Sequence, residues 1–214
     1  MNLKDSVPVR LFAALASRVV LPLYTRLGLS PSGVTVLGLI LAATIPPAFL
    51  VSPWLGLAAL ALTGLADATD GLYARATGRE SSYGAFLDSC LDRLADALAL
   101  LGFWLLFDHG PQLAWSGALM FAALAATFTI SYAKARAQGL GAACEVGFME
   151  RAPRMFYLLG WALLLALWPG AREEILWVGL GVYLMLTAQT AVRRLVHVRG
   201  ELARIERLGG AGRN

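Results

Sequence analysis

Between positions 67 and 96 this chain places five aspartates, Asp67, Asp70, Asp88, Asp92 and Asp96, in stretches that are otherwise apolar enough to enter a membrane. An ionised Asp at the middle of a membrane helix costs about 2.5–3.5 kcal/mol on insertion scales, so a group of them demands a compensating partner. Their spacing gives the group a geometry. Asp67 and Asp70 are three residues apart, which in a helix leaves them about 60° apart around the axis and about 4.5 Å along it. Gly84, Asp88, Asp92 and Asp96 recur at every fourth position, a stripe that drifts only about 40° per step. If the two helices form an antiparallel hairpin through a turn at Gly78, the stripes can face one another.

The rest of the chain is consistent with a membrane setting. Of its 214 residues 58% are hydrophobic and 15% charged, outside the usual balance of a soluble domain. Apolar stretches run from Val34 to Val51, Trp54 to Leu65, Phe86 to Phe107, Leu113 to Tyr132, Met155 to Trp168 and Ile175 to Val192. Each reaches a spanning length when its flanks join the helix. The expected fold is an all-α integral membrane protein with six transmembrane helices in one domain, residues 1–214. An interfacial leader occupies 1–30, a six-helix core 31–199 and a cytoplasmic tail 200–214. Within the leader, Val7 to Leu27 mixes Leu11, Phe12, Leu15, Val19 and Leu23 with Arg10, Arg18 and Arg26, the pattern of an amphipathic helix lying on a membrane surface. Ser30 and Pro31 have the chemistry to cap and start the first span. The tail from Gly200 to Asn214, charged and glycine-rich near its end, is expected to fray in water.

Basic residues fix the orientation, because Lys and Arg favour the cytoplasmic side of short loops. They cluster before the first span, after the second, between the fourth and fifth, and at the end of the chain, whereas the intervening loops carry only Arg172. Both termini are therefore expected in the cytoplasm, in the plasma membrane. The net charge of +4 then faces anionic headgroups or phosphorylated substrates. Nucleic acid is a poor partner for a chain this apolar. Cys90 and Cys144 have neither metal-ligand spacing nor a disulfide framework and are read as packing residues. His109 and His197 are isolated.

Clustered carboxylates repel unless a cation compensates them. Hard divalent ions take oxygen ligands, so a pair of Mg2+ or Mn2+ ions is the natural complement. Such a pair suits in-line displacement at a phosphate. The bland alternative is ion pairing within helices. Arg93, three residues before Asp96, supports it for Asp96 and leaves the other four aspartates unexplained.

The run D-A-T-D-G-L-Y-A-R from Asp67 to Arg75, followed after eight residues by G-A-F-L-D-S-C-L-D from Gly84 to Asp92, resembles the signature of the CDP-alcohol phosphotransferases at every fixed position. The resemblance implies six transmembrane helices, a homodimer and an active site at the cytoplasmic face. Carried over position by position, Asp67, Asp70, Asp88 and Asp92 are metal ligands and Asp92 is also the general base. Pro31, Ser32, Thr35, Asp67, Gly71, Ala74, Arg75 and Gly84 approach the CDP-lipid. At Ser32 the family usually has Asn. Gly71 and Gly84 outside such a motif would read as ordinary close helix packing, and Arg75 as a membrane anchor.

The segments Tyr132 to Ala137, Glu150 to Arg154 and Thr190 to Arg194 look like those of the phosphatidylinositol phosphate synthase branch. That resemblance implies that Lys134, Arg151, Arg154 and Arg194 hold the phosphate of a small polar acceptor. The expected reaction moves a phosphatidyl group from CDP-diacylglycerol to 1D-myo-inositol 3-phosphate and releases CMP. Glycerol 3-phosphate is the alternative acceptor. Outside the family, a divalent metal transporter also lines a membrane path with aspartates, but gives no reason for Gly71, Ala74, Arg75 and Gly84 at fixed intervals. Intramembrane prenyltransferases would show two separated Asp-rich motifs where this chain has one.

Overall fold

A computed structural model describes residues 18–107, 110 and 112–211, with side chains to residue 208. Most of the amphipathic leader expected from Val7 and the isolated His109 lie outside the described residues. The regular structure of the described residues is all helical, with no strand among them. The elements are α1 (residues 18–26), α2 (Pro31–Ala43), α3 (Ile45–Val51), α4 (Pro53–Ala76), α5 (Ser82–Trp104), α6 (Gln112–Gly139), α7 (Arg151–Leu167), a 3-10 turn (Pro169–Ala171) and α8 (Arg172–Ala211). Contacts divide the chain into two compact units, Met1–Ala99 and Leu100–Asn214, with the boundary inside α5.

Four stretches of the described residues are long and apolar enough to cross a membrane: Pro31–Val51, Pro53–Ala76, Gln112–Gly139 and Pro169–Leu208. This fits a multi-pass membrane protein. The other two expected spans are also helices, but α7 has only 17 residues and α5 carries Asp88, Asp92, Arg93 and Asp96. Large apolar side chains such as Leu50, Leu62, Phe121, Phe156, Val178 and Met185 are exposed along these helices. Hydrocarbon is a compatible neighbour for them, as water would not be.

In the first unit, helix starts follow local chemistry. Ser30 caps α2, its Oγ accepting from the Gly33 amide at 3.0 Å, and Pro31 begins the helix, as the sequence suggests. The first apolar stretch is two helices rather than one. Pro46 and Pro47 lack the N–H groups that would continue the α2 ladder, and the chain re-initiates at Thr44. The following corner is tight: Phe49 is buried, and a Cβ at Gly56 would lie 2.1 Å from its ring. Helix α1 is held by Tyr24, whose ring meets Tyr73 edge-on at 5.6 Å and whose hydroxyl lies 3.0 Å from Thr69 Oγ1. The Tyr73 hydroxyl donates to the Leu29 carbonyl at 3.0 Å. These contacts close a small core of Tyr24, Val34 and Tyr73, flanked by Leu21, Leu29 and Leu37.

The second unit is built on α6 packed along α8, with α7 against α8. Phe103 and Trp161 stack at 4.1 Å, and Thr127 Oγ1 lies 3.1 Å from the Tyr183 hydroxyl. With 40 residues, α8 is about 60 Å long, twice the hydrocarbon thickness of about 30 Å. The tail expected to fray is instead helical to Ala211. Two interactions explain it: Arg204 pairs with Glu201 one turn before it at 3.0 Å, and Val198 and Leu202 pack on Ala137, Ala142 and Cys144. Cys144 is thus the packing residue expected, whereas Cys90 is exposed on α5.

The loop between α6 and α7 is pinned to α8. Gly147 has φ +108°, a conformation suited to glycine, and a Cβ there would lie 2.4 Å from Thr190 Cγ2. The Thr190 hydroxyl also accepts the Met149 amide at 3.3 Å. Gly147→Ala is expected to destabilise the protein by about 1–3 kcal/mol. Thermal unfolding in detergent should show a Tm lower by roughly 2–4 °C per kcal/mol. An unchanged Tm would mean that the loop is not held this way.

Candidate active site

Asp67 and Asp70 occupy one face of the last three turns of α4, and Asp88 lies in the second turn of α5. Between the helices Gly78 turns the chain with φ +61°, and the Ser81 hydroxyl accepts the Gly84 amide at 3.0 Å where α5 begins. This tight return brings the two stripes together. One carboxylate oxygen from each of Asp67, Asp70 and Asp88 falls within 4.8 Å of the others. Asp70 is 9% exposed, so solvent does little to screen its carboxylate. Its Oδ2 accepts from Thr35 Oγ1 at 3.1 Å, which ties the carboxylate to α2, and its Oδ1 takes the Gly71 amide.

Three carboxylates this close suit a divalent cation. Oxygens on opposite sides of one Mg2+ are about 4.2 Å apart, so oxygens within 4.8 Å of one another are close enough to share a cation. The all-oxygen donor set selects a hard ion such as Mg2+ or Mn2+. Asp92 stands one turn further along α5, outside this group of three, with its carboxylate 3.6 Å from Arg93 Nη1 and its side chain 12% exposed. Asp96, one turn beyond, is buried.

A cavity of about 200 Å3 opens beside the carboxylates. Pro31, Ser32, Thr35, Asp70, Gly71, Ala74, Arg75, Gly84 and Asp88 line it. Every residue assigned to the CDP-lipid from the sequence, except Asp67, is therefore on its wall. Its volume is below the 300–1,000 Å3 of a pocket for a whole drug-sized ligand, which suits the polar end of a nucleotide better than its lipid chains. Of the two glycines on its wall, only Gly84 is closely surrounded. A Cβ at Gly71 would meet Arg75 Nη1 at 3.5 Å, and one at Gly84 would meet the Ser81 hydroxyl at 3.0 Å and Ser32 Oγ at 4.0 Å. Sequence reasoning missed Arg79, Glu80, Ser81 and Ala85, which complete the lining. For Ser81 the signal was present, since a serine before an apolar run is a helix-start signature.

The residues assigned to an acceptor phosphate belong to the second unit. Arg194 is 2% exposed. It donates from Nε to the Val146 carbonyl at 2.8 Å, from Nη1 to the Ile130 carbonyl at 2.8 Å, and from Nη2 to Glu150 Oε1 at 2.7 Å. Lys134 Nζ reaches the same Glu150 oxygen at 3.4 Å. Arg154 is buried and donates to the Met149 carbonyl at 3.2 Å. Arg151 is the half-buried first residue of α7.

Comparison with known proteins places these features in context. Residues 29–188 match the family model described as CDP-alcohol phosphatidyltransferase. The chain is 31% identical over 191 residues to the archaetidylinositol phosphate synthase of Methanothermobacter thermautotrophicus, covering 87% of this chain and 92% of that protein. It is 35% identical to the phosphatidylinositol phosphate synthase of Streptomyces avermitilis, over 83% of this chain and 75% of that one. Among solved structures it resembles the Mycobacterium tuberculosis phosphatidylinositol phosphate synthase in complex with manganese and citrate, with a TM-score of 0.73 and 28% identity over 84% of this chain and 87% of the other. The same enzyme with CDP-DAG bound gives a TM-score of 0.73 and 27% identity, over 85% and 94%.

If the carboxylate group holds divalent ions, Mn2+ should raise the Tm of the wild-type protein, because an ion at a hundred times its Kd adds about 2.7 kcal/mol. Asp88→Asn should lose most of that increase in a metal-dependent thermal-shift titration. A full shift in the variant would remove Asp88 from the ion site.

Proposed function

This chain belongs to the CDP-alcohol phosphatidyltransferase family, and from that premise we propose that it transfers the phosphatidyl group of CDP-diacylglycerol to 1D-myo-inositol 3-phosphate, releasing CMP. The observation that carries the reading is the convergence of Asp67, Asp70 and Asp88 beside a cavity lined by the motif residues. The names of the relatives support the acceptor, and the structure with CDP-DAG bound supports the donor.

In this reading the cytidine end of the donor enters between Pro31, Ser32 and Thr35 on one side and Gly71, Ala74 and Gly84 on the other. Arg75 adds a guanidinium for phosphate charge. Asp67, Asp70 and Asp88 would hold two Mg2+ or Mn2+ ions, with Asp92 completing the ligand set. When bound, the ions neutralise the pyrophosphate and the charge that develops during displacement. The acceptor hydroxyl oxygen attacks the lipid-bearing phosphorus, the bond from that phosphorus to the bridging oxygen breaks, and CMP leaves with that oxygen. Asp92, one turn from the three-carboxylate group, accepts the hydroxyl proton. Lys134, Arg151, Arg154 and Arg194 bind the acceptor phosphate.

The wider assembly follows the family resemblance: a homodimer in the plasma membrane, six spans including α5 and α7, both termini cytoplasmic, and an active site at the cytoplasmic face. Membrane lipids would then contact the exposed apolar faces. Residues 1–214 form one catalytic domain in this reading.

The acceptor is tested by following CMP release from CDP-diacylglycerol and Mn2+ with one alcohol at a time. Inositol 3-phosphate should be the best acceptor. Preference for glycerol 3-phosphate would reassign the acceptor, and turnover of free inositol or serine alone would refute a phosphate-binding pocket. Asp92→Asn should lower turnover by about 100- to 10,000-fold, the usual worth of a general base, while CDP-lipid binding persists. Loss of donor binding along with turnover would make Asp92 chiefly an ion ligand.

A further inference from the structure

Glu150 occupies the N-cap position of α7, yet its carboxylate makes no capping bond to the helix. Residues that cap helices have short side chains, and the longer Glu side chain reaches elsewhere. Its Oε1 accepts from Arg194 Nη2 at 2.7 Å and from Lys134 Nζ at 3.4 Å. A single oxygen thus sits between a cation on α6 and another on α8. Arg194 does not depend on this contact for its position, because Nε and Nη1 are fixed by the Val146 and Ile130 carbonyls at 2.8 Å. Its side chain is 3% exposed, whereas those of Glu150 and Lys134 are 46% and 35% exposed. The carboxylate therefore stands at the solvent edge and can rotate away while the guanidinium stays in place.

Two cations held around one anionic oxygen are also what a phosphate oxygen requires. A phosphomonoester carries about 1.5 to 2 negative charges near neutral pH, which matches Lys134 and Arg194 only after the Glu150 charge has moved off. With Glu150 in place, a phosphate would compete for the same donors and be repelled by the carboxylate. We infer that Glu150 is a displaceable counter-anion for Lys134 and Arg194, a specificity residue that occupies the position of the acceptor's phosphate and raises the threshold for anions to enter. The inference rests on the assignment of Lys134 and Arg194 to the acceptor phosphate. A free phosphate gains only the cations of this site and is held off. A phosphorylated alcohol adds contacts through its hydroxyls, enough to displace the glutamate, so discrimination comes from a built-in competitor as well as from attraction.

The test uses the full chain in detergent micelles, with inorganic phosphate as the probe. Glu150→Gln keeps an amide oxygen for Arg194 and removes the charge; Glu150→Ala removes both. Calorimetric titration should show phosphate binding roughly three- to tenfold tighter in both variants than in the wild type, the scale of one partly screened charge. The KM for inositol 3-phosphate should fall with it. A glutamate that merely holds the fold together would give the opposite: unchanged or weaker phosphate binding, a higher KM and a lower Tm, and any of the first two overturns the inference. If phosphate binds none of the three proteins, the acceptor-site assignment fails and the inference falls with it. If the wild type uses inositol 3-phosphate while all three proteins bind phosphate equally, the inference alone falls. Tighter phosphate binding in the variants of a protein that does not use inositol 3-phosphate would uphold the role of Glu150 and overturn only the choice of acceptor.

Discussion

Mutual repulsion among Asp67, Asp70 and Asp88 is the interaction around which the first unit is organised. Three carboxylates within 4.8 Å of one another, one of them nearly buried, would not persist in membrane helices unless something repaid their desolvation and repulsion. Divalent cations would do so, and would convert an unfavourable cluster into a place where a pyrophosphate can bind. The short return at Gly78 follows from the same requirement. The helices must meet closely enough to share ions yet leave a cavity beside them for a nucleotide.

The scaffold acts on the carboxylates through ordinary contacts. Thr35 donates to Asp70 from α2; Tyr73, one turn beyond Asp70 on α4, anchors that helix to Leu29; and Tyr24 meets both Tyr73 and Thr69. Each net hydrogen bond contributes only about 1 kcal/mol. Their value lies in direction, because a ligand displaced by an ångström would weaken an ion site far more than it would weaken the fold. In the second unit, Arg194 plays the corresponding role. It gathers α6, the loop before α7 and α8 itself around one guanidinium. A residue read from the sequence as a phosphate ligand is therefore also a structural centre.

Much of the donor site was legible because its determinants are local. The i,i+3 and i,i+4 spacing of the aspartates, the Ser30 cap and the short turn are properties of adjacent residues, and the family signature joined them into one site. Other features depend on contacts distant in sequence. Nothing near Glu150 indicates that it meets Arg194, 44 residues away. The helical tail depends on Val198 and Leu202 finding Cys144 and its neighbours. The break at Thr44 was overlooked for a different reason: hydropathy reads through Pro46 and Pro47, although their missing amides end the first helix.

Anomalous scattering from manganese in crystals grown with Mn2+ tests the central claim most directly. The account requires two peaks roughly 3.5–4 Å apart, bounded by Asp67, Asp70 and Asp88. Carboxylates in the same positions with no manganese between them, or manganese bound only elsewhere, would contradict it.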